Sequence, residues 1–252
     1  MTALGEIPPN PDPKSLAEKM AAVGSQCPIP ATHDRLFEAH HWWHEMAHWY
    51  HEPEPFRFRL GAFIQAARNV TWMLQSEKAV FKDFSWYNEW VERARADWAL
   101  QWLNSARVDF VKRQALEPHS WLEMRCVRNS KYPQGADDDP VLRKVSPFQC
   151  THHYMQMGPP TDHGHNYTRH WSMDGLKGRE LLEVCADVYD RLDDLVVKAH
   201  KHLGAHVVSY AREGSTRRLP CMEDTRKWRL AKTRIRRGKE VLLREPRRPH
   251  DH

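Results

Sequence analysis

The sequence lacks the short signatures of the large enzyme classes. It has no Gly-x-Ser-x-Gly elbow, no phosphate-binding loop and no dinucleotide fingerprint, which leaves covalent-hydrolase, NTPase and Rossmann readings without a site. Its five cysteines, Cys27, Cys126, Cys150, Cys185 and Cys221, never form a Cys-x-x-Cys pair, so no disulfide framework is written into the spacing. An odd number of scattered thiols fits a reducing compartment. No apolar run approaches the ~20 residues needed to span a bilayer. The proline-rich opening, with Pro8, Pro9, Pro11, Pro13, Pro28 and Pro30, has no basic start followed by an apolar stretch, so no signal peptide is expected. Internal repeats are missing too. These absences predict a soluble, cytoplasmic protein that does not act in a membrane.

What the chain does have is aromatic mass and histidine. Among 252 residues are 11 tryptophans and 17 histidines. Nine of the tryptophans lie between Trp42 and Trp121, which predicts an aromatic-rich core in the first half, each buried ring contributing about 1.5–3 kcal/mol. Charge is uneven. The formal balance of +5 arises at the end of the chain, where 14 Lys/Arg face six Asp/Glu from Arg212 onward, leaving the preceding part net negative. Such a tail can hold phosphate backbones or serve as solvated surface.

Apolar spacing predicts a mainly α protein. A helix from about His33 to Glu52 stops before Pro53 and Pro55, and Phe56, Leu60, Phe63, Ile64, Ala67, Thr71 and Leu74 then mark a second, antiparallel to it. Trp86, Trp90 and Val91 mark a short third helix, and Trp98, Trp102, Leu103, Ala106 and Phe110 a fourth. Residues 33–116 therefore read as a four-helix bundle after a proline-rich leader, 1–32. Residues 117–175 read as an irregular His-rich region with short strands, including WLEMRCV. Residues 176–211 hold a long helix packing on the bundle, from about Gly178 to Leu203. Residues 212–252 form a basic β-hairpin and tail, turning across Arg236-Arg237-Gly238-Lys239.

One segment concentrates the chemistry. Between His33 and Glu52 lie six histidines, and at 100° per residue His33, His40, His44, His48 and His51 form one stripe bordered by Glu38, Glu45 and Glu52. His44-Glu45-Met46-Ala47-His48 fits HExxH, in which two histidines one turn apart bind zinc and the glutamate activates its water. The extended protease form is not met: His51 stands where it needs glycine and Glu54 where it needs a third histidine. His40/His44 and His44/His48 are alternative pairs for zinc or another divalent metal, each needing a third ligand from elsewhere. The second cluster, His152, His153, His163, His165 and His170, is one source for it. A solvated, merely histidine-rich face is the competing explanation.

The segments FRFRLGAFIQAARNVTWMLQSEK and WLNSARVDFVKR resemble HEPN-like helical bundles of bacteria, many of them RNA-cutting toxins or defence components. RHWSMDGLKGRELLEVCADVYDRLDDLVVKAHKHLG and the later LPCM resemble a family of uncharacterised actinobacterial proteins, which implies no activity. The HEPN resemblance implies an Arg followed after four to six residues by His. Arg35 to His40 and Arg113 to His119 meet that spacing, whereas Val-Asp-Phe-Val-Lys after Arg107, where the bundle would place the motif, has no histidine.

Three functions follow. The first is an RNA- or DNA-associated HEPN-like protein, as a metal-independent ribonuclease with Arg35 stabilising the phosphorane and His40 as acid–base. Arg234, Arg236, Arg237 and Lys239 would grip phosphates. The second is a metal-binding helical protein or metal-dependent hydrolase using His40, His44 and His48, with Glu45 as base. The third is a non-enzymatic interaction protein, with homodimerisation one outlet for the histidine face.

Overall fold

The computed structural model describes residues 27–113, 118–126, 141–145, 150–151, 165–205, 219–236 and 239–242. It is mainly helical with a small antiparallel sheet. Helix α1 runs Pro30–His48, α2 Pro53–Ser76, α3 Trp86–Ala96 and α4 Trp98–Arg113, with a 3-10 turn at Lys78–Val80. Strands β1 (His119–Cys126), β2 (Val141–Val145) and β3 (His165–Ser172) follow, then helix α5 (Leu181–His202) and the short helices α6 (Pro220–Glu223) and α7 (Arg226–Arg229). Strands β4 (Leu230–Arg236) and β5 (Lys239–Leu242) close the described chain. None of the described helices is long and apolar enough to cross a membrane.

The helices form where the apolar spacing demands. In α2, Phe56, Leu60, Phe63, Ile64, Ala67, Val70 and Leu74 are all buried, and in α5 the same holds for Leu181, Leu182, Val184, Cys185, Val188, Leu192, Leu195, Val196 and Ala199. Proline opens both α1 and α2, where its missing N–H costs nothing. Neither helix caps itself with a side chain. Instead the Glu77 carboxylate, just past α2, reaches the start of α1, accepting from Ala31 N at 2.9 Å, Thr32 N at 3.0 Å and Thr32 Oγ1 at 2.6 Å. An anion at a helix N-terminus satisfies orphan donors and opposes the macrodipole, so the α1–α2 hairpin is locked at its open end.

The long helix α5 packs on the helices of the bundle, as expected. It packs on α1, α2 and α4, while α3 packs on α4 and buries only Trp86 and Tyr87 of its own residues. The reason is apolar area: α5 carries a continuous buried stripe and α3 does not. One hydrophobic cluster runs through α1, α2, α4 and α5, takes in Trp86 and Tyr87 of α3, and continues into Trp171 of β3, Met222 of α6 and Trp228 of α7. The first-half helices therefore share their core with the second half of the chain. Tryptophan is mostly core, as expected: Trp43 and Trp171 are fully buried and Trp86, Trp102 and Trp228 nearly so, with Trp72 the clear exception.

At Gly61, α2 approaches α4 so closely that a Cβ would stand 2.6 and 2.8 Å from Phe110 ring atoms. Gly61→Ala gains helix propensity but overpacks this contact. The expected net loss is about 1–2 kcal/mol, read by urea unfolding, and an unchanged midpoint would show that the ring yields freely.

The sheet has the order β2-β1-β3-β4-β5, every neighbour antiparallel. The hairpin expected near the end of the chain is present as β4–β5, in which Arg236 pairs directly with Lys239. Strand β3 is anchored to the end of α1. Trp171 Nε1 donates to Tyr50 O at 2.9 Å, Tyr50 Oη lies 3.1 Å from Arg169 O, and Arg169 Nη1 donates to His51 O at 3.0 Å. Arg169 is fully buried, its Nε donating to Ser120 Oγ at 2.9 Å and its guanidinium lying 4.3 Å from the Trp171 ring.

Candidate metal centre

Helix α1 places His40 and His44 one turn apart, so their imidazoles lie on one edge of the helix. That edge faces Tyr189 of α5, whose ring centroid is 5.4 Å from that of His40, and Cys221 of α6. Pro220 starts α6 and Met222 sinks into the core, which fixes the intervening Cys221 against α1. His40 Nε2 is 3.2 Å from Cys221 Sγ and 3.2 Å from His44 Nε2, and one donor atom from each of the three residues lies within 4.8 Å of the others. Among the described residues it is the one such trio of His, Cys, Asp or Glu.

Two imidazole nitrogens and a thiol form a ligand set suited to zinc. Bonds of about 2.0–2.1 Å to nitrogen and about 2.3 Å to sulfur, disposed tetrahedrally, separate two nitrogens by roughly 3.3 Å and a nitrogen from the sulfur by roughly 3.6 Å. The 3.2 Å separations of His40 from Cys221 and from His44 are close to these values, and the His44 and Cys221 donors lie within 4.8 Å of each other. All three residues are partly buried, so ligand exchange is restricted without being closed off. Burial raises the Cys221 thiol above its ordinary range, so metal binding would have to displace a proton from sulfur.

The rest of the histidine stripe divides among other tasks. His48 lies outside the trio, and among the described residues the third donor beside His40 and His44 is Cys221. Glu45 takes the Arg59 guanidinium at 3.0 Å; burial pushes its carboxyl up, but the Arg59 hydrogen bond and charge outweigh this and hold it below its ordinary value. It is thus committed to an ion pair, and Arg59 in turn lies 4.9 Å from the Trp49 ring. His33 turns to His200, ring centroids 6.1 Å apart, and His200 Nε2 lies 3.2 Å from Cys27 Sγ. His51 Nδ1 lies 3.1 Å from Thr151 Oγ1, and burial together with Arg169 lowers its pKa to about 3, so it stays neutral. His170 stacks on Trp121 at 5.3 Å and lies 3.5 Å from Glu123. His152, His153 and His163 lie outside the described residues, as does the side chain of His165.

Arg35 and His40 are not brought together. Five residues turn a helix by about 140°, and Arg35 pairs with Glu38 while His40 meets Cys221. His119 Nε2 lies 2.9 Å from Asp174 Oδ1, and the side chain of Arg113 lies outside the described residues. Arg234, Arg236 and Lys239 are on the backbone of the β4–β5 hairpin at the end of the sheet order, and Arg237 lies outside the described residues. The residue that sequence reading missed is Cys221. Its signal was the Leu219-Pro220-Cys221-Met222 turn, which places a thiol beside a buried methionine, but nothing local points it at α1.

No curated protein and no solved structure matches the chain significantly. A family model described as bacteriophage lambda protein ea47 matches residues 21–249, a span that contains His40, His44 and Cys221. The match covers nearly the whole sequence, and the chain belongs to the bacteriophage lambda ea47 protein family.

Proposed function

We propose that this protein binds a zinc-class divalent ion through His40, His44 and Cys221. The observation that carries this reading is the convergence of three donor atoms within 4.8 Å from two elements far apart in sequence. Helix spacing alone supplies His40 and His44, but a thiol arriving from α6 is a long-range coincidence unless it is a ligand. Three protein ligands leave a fourth tetrahedral position for water or another donor. Glu45, held by Arg59, is not arranged as a base for that position, which favours a metal-binding role over hydrolysis.

The test is elemental analysis of tag-free protein prepared without chelators or metal resin. The expected result is about one zinc per chain, lost in Cys221→Ser and His44→Ala and retained in His48→Ala. Metal that survives Cys221→Ser, or leaves with His48→Ala, would overturn this ligand set.

Association with nucleic acid is the second reading. It is supported by the β4–β5 hairpin, which carries Arg234, Arg236 and Lys239 at the last position of the sheet order.

A further inference from the structure

Trp72 is 60% exposed, the one tryptophan of the described residues that stands open to solvent. It lies on α2 among Arg68, Asn69 and Gln75, and Arg107 of α4 completes an open pocket of about 140 Å³ around it. Positions 68, 72 and 75 recur at helical spacing, so the four α2 residues share one solvent-facing side. Among the described residues no carboxylate lines the pocket. Arg68 Nη1 donates to Thr71 Oγ1, but its Nε is buried without an acceptor among the described residues. Arg107 makes no hydrogen bond or ion pair to them. Gln75 Nε2 is held 3.1 Å from Thr71 O and 3.1 Å from Tyr87 Oη, which fixes that wall and leaves the Gln75 carbonyl as an acceptor.

Each component favours the same ligand chemistry. An exposed indole face offers stacking to a planar ring. Two guanidiniums without a neighbouring acid favour an anion with several oxygens, which a phosphate supplies. The Asn69 amide and the Gln75 carbonyl can meet the hydrogen-bonding edge of a heterocycle. An apolar peptide would leave both arginines desolvated and unpaired, and inorganic phosphate alone would leave the indole in water.

We propose that the Arg68–Trp72–Arg107 pocket binds a nucleotide, with the base stacked on Trp72 and the phosphate held by Arg68 and Arg107. The same chemistry occurs in a free mononucleotide and in one unit of a single strand. This site shares no residue with the metal trio, so either stands if the other fails.

The experiment measures fluorescence anisotropy of labelled oligouridylate with full-length protein, in zinc and in chelator, with AMP as competitor. Trp72→Ala is expected to weaken binding about 10-fold, and Arg107→Ala to weaken it and lower the salt slope by about one. Trp72 is exposed and Arg107 half-buried, and unchanged melting curves would show that the variants remain folded. Displacement by AMP assigns a free-nucleotide site, and binding that AMP does not displace but both variants lose assigns a strand site. The proposal is overturned if neither probe binds, or if the variants bind like the parent. It is also overturned if affinity falls only in an Arg234→Ala/Arg236→Ala/Lys239→Ala variant, which would place the contact on the hairpin.

Discussion

Zinc at about a thousand times its dissociation constant is expected to stabilise the folded protein by about 4 kcal/mol, and Cys221→Ser is expected to abolish nearly all of that gain. The argument is linkage: an ion that needs His40, His44 and Cys221 together binds the folded chain and has little purchase on the unfolded one, where α1 and α6 are far apart. For a chain of this size the gain corresponds to a rise in melting temperature of about 10 °C. Scanning calorimetry in excess zinc and in EDTA reads it directly. The parent and His48→Ala should both show the shift, and Cys221→Ser should show little in either solution. Because α6 carries Cys221 and its neighbour Met222 is buried against the bundle, the ion would join two segments that already touch. A shift lost in His48→Ala and kept in Cys221→Ser would reinstate the HExxH pair as the site.

The sequence placed the helices that own a periodic apolar face. In α2 and α5 nearly every residue expected inside is buried, because helix spacing and burial are two statements of the same geometry. It also placed His40 and His44 together, since one turn is a local distance. It could not choose between His40/His44 and His44/His48. A rise of 1.5 Å per residue puts His48 about 12 Å along the axis from His40, and among the described residues only the His40/His44 pair has a further donor, Cys221, beside it. Which pair that is depends on where α6 docks, a property of the folded core. Strand β3 was illegible for another reason. Its alternation reads Tyr167, Arg169, Trp171 on the buried face, and a buried arginine breaks the apolar signal that marks a strand. The HEPN resemblance implied Arg35 and His40 as partners; the structure places them on different sides of α1.

Arg169 draws attention to the polar cluster that it belongs to, where a carboxyl group is buried. Glu180 caps α5 by accepting from Glu183 N at 3.0 Å and accepts from Tyr50 Oη at 2.6 Å, with only 8% of the residue exposed. Burial raises its pKa to about 7, against hydrogen bonds from Tyr50 and Glu183 that lower it. The folded state therefore holds a proton that the unfolded state releases above its ordinary value of 4.5. Folded protein binds more protons across that window, so stability falls as pH rises from about 4.5 to about 7, by about 3 kcal/mol in total from this group. Asp193, raised to about 6 by burial and its acidic neighbours Asp194 and Asp190, acts in the same direction. His51 acts oppositely: held near 3, it is neutral in the fold while the unfolded imidazole takes up a proton below 6.5, so its contribution to stability grows as pH rises between those values. The parent's net profile is consequently shallow, and the difference from Glu180→Gln isolates the carboxyl. Glutamine keeps the size and removes the titration: its carbonyl oxygen can accept from Glu183 N, while its amide NH2 faces Tyr50 Oη, which can accept it and donate to Arg169 O instead. At pH 5 the two proteins should differ little in urea unfolding. At pH 8 Glu180→Gln should be the more stable by about 2–3 kcal/mol. Parallel stability profiles from pH 5 to 8 would mean that Glu180 ionises in the fold as it does in water, and that the Tyr50–Glu180 contact is open to solvent.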